Sequence, residues 1–181
     1  MEKYFAILRG INVGGHRKIL MKDLKILFKK QGFKNAVSYI QSGNVIFEAK
    51  YEKNIPEIEN TISSAIKKQF GFDVPVIVRK TKELKMILNS NPFLKNDNHD
   101  AEKLAVTFLN KFPDKESVKL VEQFDFSPDK FKIVDNNIFI LLAGKYSDSK
   151  LTNQFFENKL KLKSTTRNWK TINKLFEIAE K

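Results

Sequence analysis

Tyr4-Phe5-Ala6-Ile7-Leu8-Arg9-Gly10-Ile11-Asn12-Val13-Gly14-Gly15-His16-Arg17-Lys18 decides how the rest of the chain is read. The apolar run from Tyr4 to Leu8 is short and has no polar alternation, which predicts a strand covered on both faces. Three glycines and three basic side chains end it. Glycine permits positive φ and leaves no Cβ between the main chain and a ligand. Gly10 to Gly15 therefore reads either as a tight strand-to-helix connection that needs glycine for its own geometry or as a basic loop whose amides turn inward as an anion-binding nest. The Gly10 to Gly15 spacing matches that of a P-loop, but His16 and Arg17 stand where Lys and Ser/Thr are required, so an NTPase of that type is rejected.

Beyond the loop, Met21, Leu24, Leu27 and Phe28 recur at helical spacing up to Gly32. Ala36 to Gln41 and Asn44 to Glu48 read as strands joined by a tight Ser42-Gly43 turn. Asn54 and Pro56 open a helix with an Ile58, Ile62, Ile66 and Phe70 stripe ending at Gly71. Val74 to Val78 reads as a fourth strand, placed at an edge because Pro75 cannot donate to a ladder. The order βαββαβ is the ferredoxin-like unit, with the first strand central. On this reading the Ser42-Gly43 turn is expected at the opposite end of the sheet from the glycine loop, about 17–20 Å away.

Thr81 to Ser90 predicts a linker helix capped by Thr81 and stopped by Asn91-Pro92, followed by a polar loop from Lys95 to Glu102. The element order then repeats. Leu104 to Leu109 is a strand, Asp114 to Phe124 a helix, and Phe131 to Val134 and Ile138 to Leu142 are strands about Asp135-Asn136-Asn137. A helix over 151–162 turns Leu151, Phe155 and Leu160 inward, and Lys163 to Arg167 forms a short strand. A closing helix carries Trp169, Ile172, Leu175, Phe176 and Ala179. The expected fold is α+β, with two ferredoxin-like halves at 1–80 and 103–181 joined by a linker at 81–102 and an extra C-terminal helix. The halves share element order but no visible sequence similarity.

The 181 residues contain no cysteine, which removes disulfides, thiolate catalysis and iron–sulfur clusters and suits a reducing cytoplasm. The N-terminal apolar run is too short for a signal peptide and no stretch approaches about 18 apolar residues, so a cytosolic protein without a membrane partner is expected. The formal charge is +12, with 29 Lys against four Arg, alongside 16 Asn and 16 Phe. That pattern reads as the codon bias of an AT-rich genome and a dispersed, solvated lysine surface rather than a basic groove. Against that background the arginines are informative, since a planar fork holds phosphate or carboxylate with two bonds. Arg9 and Arg17 flank the glycines, Arg167 lies near the C-terminus, and Arg79 lies apart.

Leu8-Arg9-Gly10-Ile11-Asn12-Val13-Gly14-Gly15, Gln41-Ser42-Gly43-Asn44-Val45-Ile46-Phe47 and Thr165-Thr166-Arg167-Asn168-Trp169-Lys170-Thr171 together resemble the domain of unknown function 1697 family of bacterial proteins, over essentially the whole chain. Lys170 departs from the more familiar Asn. The resemblance implies an α+β protein of two ferredoxin-like halves and supplies no activity, substrate or cofactor. Arg9, Gly10, Asn12, Gly14, Gly15, Ser42, Gly43, Asn44, Thr166, Arg167, Asn168 and Trp169 carry its signature.

The residues thus nominate a binding site for a phosphorylated or other anionic small molecule: Arg9, Gly10, Asn12, Gly14, Gly15, Arg17, Thr166, Arg167 and Asn168, with Lys18 adjacent. Arg9 and Arg167 are expected to grip one anion. Equally physical is a capping role for Thr166 or Asn168, with Trp169 as the first core residue of the last helix. Two alternatives stand beside this site: an enzyme on a nucleotide-like substrate, for which no general base is identified, and charge-driven nucleic-acid binding, which lacks paired strand aromatics. His16 and His99 have no metal-ligand spacing, and the loop acids Asp97, Asp100 and Glu102 read as solvated, so neither metal nor cofactor is expected. Ser42 lacks the preceding glycine of a nucleophile elbow and reads as a turn residue.

Overall fold

The computed structural model describes residues 1–50, 54–94 and 100–181; Asp97 and His99 of the polar loop lie outside the described residues. The chain divides into two units, Met1–Lys85 with Lys174–Lys181, and Met86–Asn173.

In the first unit, β1 (Glu2–Leu8), β2 (Lys34–Tyr39), β3 (Asn44–Ala49) and β4 (Val76–Lys80) form an antiparallel sheet in the order β2-β3-β1-β4. Helices α1 (Met21–Lys30) and α2 (Ile55–Phe70) pack their apolar stripes against it. Tyr4 to Leu8 are all buried, as a central strand covered on both faces requires. Tyr4, Ala6 and Leu8 join Leu24, Leu27, Phe28, Phe47, Ile58, Ile62 and Ile66 in one core. The Phe28, Phe33 and Phe47 rings meet at centroid distances of 4.9 to 5.7 Å. Each such pair adds about 0.5–1.5 kcal/mol beyond its buried area.

α2 starts where a reciprocal cap forms: the Asn54 side chain accepts the Glu57 amide at 2.9 Å, and the Glu57 carboxylate accepts the Asn54 amide at 3.3 Å. β4 begins at Val76 rather than Val74, and Pro75 stands just before it. The Pro75 carbonyl still extends the ladder, accepting the Arg9 amide at 3.0 Å, a bond that needs no proline donor.

α3 (Lys82–Ser90) follows, but Thr81 does not cap it. Its hydroxyl donates to the Lys3 carbonyl at 3.1 Å, and the Glu83 carboxylate instead accepts the Lys80 amide at 3.0 Å. Glu83 also meets Nε of Arg79 at 2.6 Å, which explains the arginine outside the motifs: Arg79 is only 4% exposed and its charge faces this carboxylate.

The second unit repeats the plan with β5 (Leu104–Leu109), α4 (Lys115–Glu122), β6 (Lys130–Val134), β7 (Asn137–Leu141), α5 (Asn153–Leu160) and β8 (Ser164–Asn168). Its antiparallel sheet has the order β6-β7-β5-β8, so among the described residues both halves are ferredoxin-like. α6 (Trp169–Ala179) closes the chain. Phe156, not Phe155, is the fully buried aromatic of α5; Phe155 is half-buried, edge-on to Phe124 and Phe126.

The two halves share main-chain geometry where their sequences differ. Leu8 donates to the Gly43 carbonyl at 2.8 Å, and Leu109 to the Asn136 carbonyl at 3.0 Å. Arg9 and Asn110 stand next in line, donating to the carbonyls of Pro75 and Lys163. Ile7 pairs with the buried Asn44, and Phe108 with the buried Asn137. The connections differ: Arg9 to Leu20 is twelve residues between β1 and α1, whereas Asn110 to Asp114 is five between β5 and α4.

The Ser42-Gly43 turn lies at the same end of its sheet as the glycine loop, contrary to the expectation from sequence. A crossover helix returns the chain to the end where β1 began, so β2 runs parallel to β1, with β3 between them, and finishes at the same end of the sheet. The register makes this concrete, with Ile7 at the end of β1 opposite Asn44 at the start of β3.

Candidate functional site

At that shared end the first two motifs build one corner. The glycines form a miniature hairpin: Val13 and His16 bridge, the His16 amide donates to the Val13 carbonyl at 3.0 Å, and Gly14 and Gly15 sit at φ 58° and 77°. Two central residues at positive φ are the pattern of a type I′ turn. The Asn12 amide donates to the Arg17 carbonyl at 3.2 Å, closing the hairpin's base. The amides of Asn12 and His16 are therefore engaged within the hairpin rather than converging as the expected nest.

Asn12 is the clamp. Its Nδ2 donates to the carbonyls of Ile19 and Gln41 at 2.9 and 2.8 Å, and its Oδ1 accepts the Ile19 amide at 2.8 Å. One side chain thus joins both ends of the loop to the β2–β3 turn. Its φ of 56° is one that asparagine tolerates better than most residues. In the second motif Asn44 donates to the Tyr39 carbonyl at 3.2 Å and to the Ser42 hydroxyl at 2.9 Å. Gly43, at φ 80°, has no room for a side chain: a Cβ there would stand 2.7 Å from Leu8 Cβ and 2.8 Å from Ile11 Cδ1. The chemistry of Ser42 is that of a turn, as expected.

What the corner leaves in solvent is basic and apolar. Val13, Gly14, Gly15, His16, Arg17, Lys18 and Leu20 are exposed, while Arg9 is half-buried. No carboxylate occurs between Lys3 and Lys22. Arg17 is held at φ 47°, a conformation that strains a long side chain. Its guanidinium lies over Gly10, where an added Cβ would be 3.3 Å from Nη1. Among the described residues no carboxylate pairs with Arg17.

The chain belongs to the DUF1697 family. The family described as "Protein of unknown function (DUF1697)" matches residues 1–139, from β1 into β7. The DUF1697 match therefore contains the first two motifs and stops before Thr165. A solved structure, "conserved bacterial protein SP0830 from Streptococcus pneumoniae", is similar to the chain with a TM-score of 0.80 and 21% identity, covering 100% of this chain and 99% of that one. That likeness is one of fold. No curated protein matches the chain.

The third motif of this DUF1697 chain occupies β8 and the start of α6, in the second unit. The Thr166 hydroxyl lies 2.7 Å from that of Thr107, accepts from the Tyr146 hydroxyl at 3.0 Å and donates to Asn153 Oδ1 at 3.1 Å. The Ser164 hydroxyl donates to the same Asn153 oxygen at 2.9 Å. These partners are 13 to 59 residues from Thr166, so no local sequence signal announces them. Asn168 Oδ1 accepts the Thr171 amide at 2.8 Å and caps α6, and Trp169 is buried beside it in the chain. Arg167 is half-buried and donates to the Thr166 carbonyl at 2.8 Å and the Thr165 hydroxyl at 3.2 Å. Burial pulls its pKa down to about 10, which leaves it charged at neutral pH.

Among the described residues, no three His, Asp or Glu side chains converge as metal ligands, and no helix is long and apolar enough to cross a membrane.

Proposed function

We propose that the protein binds a phosphorylated or otherwise anionic small molecule at the corner of the first unit. Arg17 supplies the principal charge, with Arg9 and Lys18 beside it. Gly10 leaves room for the Arg17 guanidinium, Gly14 and Gly15 present exposed main chain, and Asn12 fixes the hairpin that carries them. The observation that carries the reading is Arg17 itself: a non-glycine residue at φ 47°, on an exposed basic loop without carboxylates, with its fork laid over a glycine. Strain of this kind costs about 1–3 kcal/mol and concentrates at functional positions. The length of the connection supports the same reading, since β5 and α4 are joined by five residues where β1 and α1 use twelve.

Thr166 and Asn168 receive a structural account from their hydrogen bonds, and the proposed site does not depend on them. Arg167 is a separate candidate contact for an anion on the second unit. The test is a thermal-shift panel with inorganic phosphate, sulfate and sugar monophosphates. A ligand at about a hundred times its Kd stabilises by about 2.7 kcal/mol. Arg17→Ala should remove the shift and Arg9→Ala weaken it, with an unchanged midpoint for Arg17→Ala in the absence of ligand. Retention of the full shift by Arg17→Ala refutes the site.

A further inference from the structure

The geometry points to a second, separate site on the first unit: a groove between α1 and the edge strand β2 that takes a polyphosphorylated small molecule with an apolar body. The groove has a volume of about 740 Å³ and is lined by Lys22, Lys25, Lys29 and Lys34 around Ile26, Phe33, Asn35 and Ala36. That volume lies within the range of ordinary small-molecule sites. Its charge is not that of a dispersed lysine surface. The lining holds four Lys and no acid, within a stretch, residues 16–34, that carries seven Lys or Arg against the single acid Asp23, Arg17 and Lys18 of the corner included. The four lining lysines have no carboxylate partner among the described residues.

The shape comes from both walls. Lys22, Lys25 and Lys29 recur three and four residues apart, so they stand on one face of α1, and the span from Lys22 to Lys29 covers about 10 Å of helix axis. Across from them, the pairing of β2 with β3 shifts register between Lys34 and Val37, and Asn35 sits at φ 52°. A bulge of this kind bends an edge strand away from its neighbour and re-aims its side chains. Edge lysines alone are a common guard against strand pairing. Here, however, the cations surround a concave apolar surface, with Ile26 47% exposed and Phe33 buried at its base.

The chemistry selects the ligand. The lining cations are all ammonium groups, compact donors that satisfy phosphate oxygens as point charges rather than gripping a planar carboxylate in a fork. A span of about 10 Å suits one compact polyphosphate and is short for a nucleic-acid tract. Phe33 is buried, so the groove offers no exposed ring on which bases of a strand would stack. The apolar wall gives a use for a ligand body beyond its phosphates.

The experiment is calorimetric titration of the full chain with tripolyphosphate and with adenosine triphosphate, at low and at physiological salt. Both probes should bind, and the nucleotide more tightly. The double variant Lys25→Gln/Lys29→Gln should weaken both by about tenfold or more, as expected for losing two charge-assisted contacts. Lys82→Gln/Lys85→Gln removes the same charge from exposed positions of α3, which follows β4 at the edge of the same sheet opposite β2, and should stay within about twofold of the parent, since distant surface charges are screened. Arg17→Ala, which tests the corner, should leave this groove's binding intact. Ile26→Ser should erase the nucleotide's advantage over tripolyphosphate. The proposal is overturned if neither probe binds, if only oligonucleotides do, or if the two lysine pairs have equal effects. Equal affinity for the two probes in the parent chain overturns the role of the apolar wall.

Discussion

Gly43→Ala tests whether the first two motifs are held together by close packing. Gly43 sits at φ 80°, so an L side chain costs about 1–2 kcal/mol in conformation alone. The new methyl would also stand 2.7 Å from Leu8 Cβ and 2.8 Å from Ile11 Cδ1. Leu8 belongs to the central strand and Ile11 is fully buried, so neither yields freely. Forcing a methyl into such packing costs about 1–3 kcal/mol. The sum is about 2–5 kcal/mol, a midpoint loss of about 4–20 °C for a chain of this size. Gly15→Ala provides the comparison: its φ is 77°, and a Cβ there meets nothing within 4 Å. It should cost the conformational part only. Chemical denaturation of the two variants therefore isolates the contact contribution as their difference, about 1–3 kcal/mol. Equal costs for the two variants, or a Gly43→Ala loss below about 0.5 kcal/mol, would refute the packing argument.

Asn12→Ala deletes three hydrogen bonds at once and should destabilise by about 2–4 kcal/mol, read by denaturant midpoint. Arg17→Gly should raise stability by about 0.5–1 kcal/mol while abolishing anion binding, because glycine relieves the positive φ and removes the charge; a stability loss would count against strain at this position. Asp114 caps α4 and accepts the Ser117 hydroxyl and amide at 2.6 and 2.8 Å, which holds its carboxyl below the ordinary value. A lowered folded value means that this stabilisation is complete above the unfolded pKa near 3.8 and is lost as pH falls through the folded one. Asp114→Ala should therefore be less stable at neutral pH and lose less than the parent on acidification to about pH 3, as followed by circular dichroism.

Apolar spacing alone carried the element order, because helices with buried Ile58, Ile62 and Ile66 and a strand with five buried residues write their environment into local periodicity. Strand ends were less legible: Pro75 looked like a strand residue because its carbonyl takes part in the ladder even though it lies outside β4. The hairpin's place followed from connectivity rather than composition, and reading Ser42-Gly43 as remote from the glycine loop missed the contact that unites the two motifs. Asn12 looked like a ligand residue because its partners, Ile19 and Gln41, are main-chain carbonyls that any residue type supplies. Thr166 concealed its role for a related reason, with Thr107, Tyr146 and Asn153 scattered along the chain. The lysine groove was invisible to overall composition, which averages its four lining lysines into a general abundance of lysine.

The unequal connections after β1 and β5 amount to an internal control provided by the molecule. Five residues are enough to turn the chain from Leu109 into α4 while keeping the bonds that Leu109 and Asn110 make to their neighbours. The same turn after Leu8 takes twelve. The additional length is thus an ornament on a chassis that closes without it, and a graft of the short connector into the first half should leave a folded protein stripped of its hairpin.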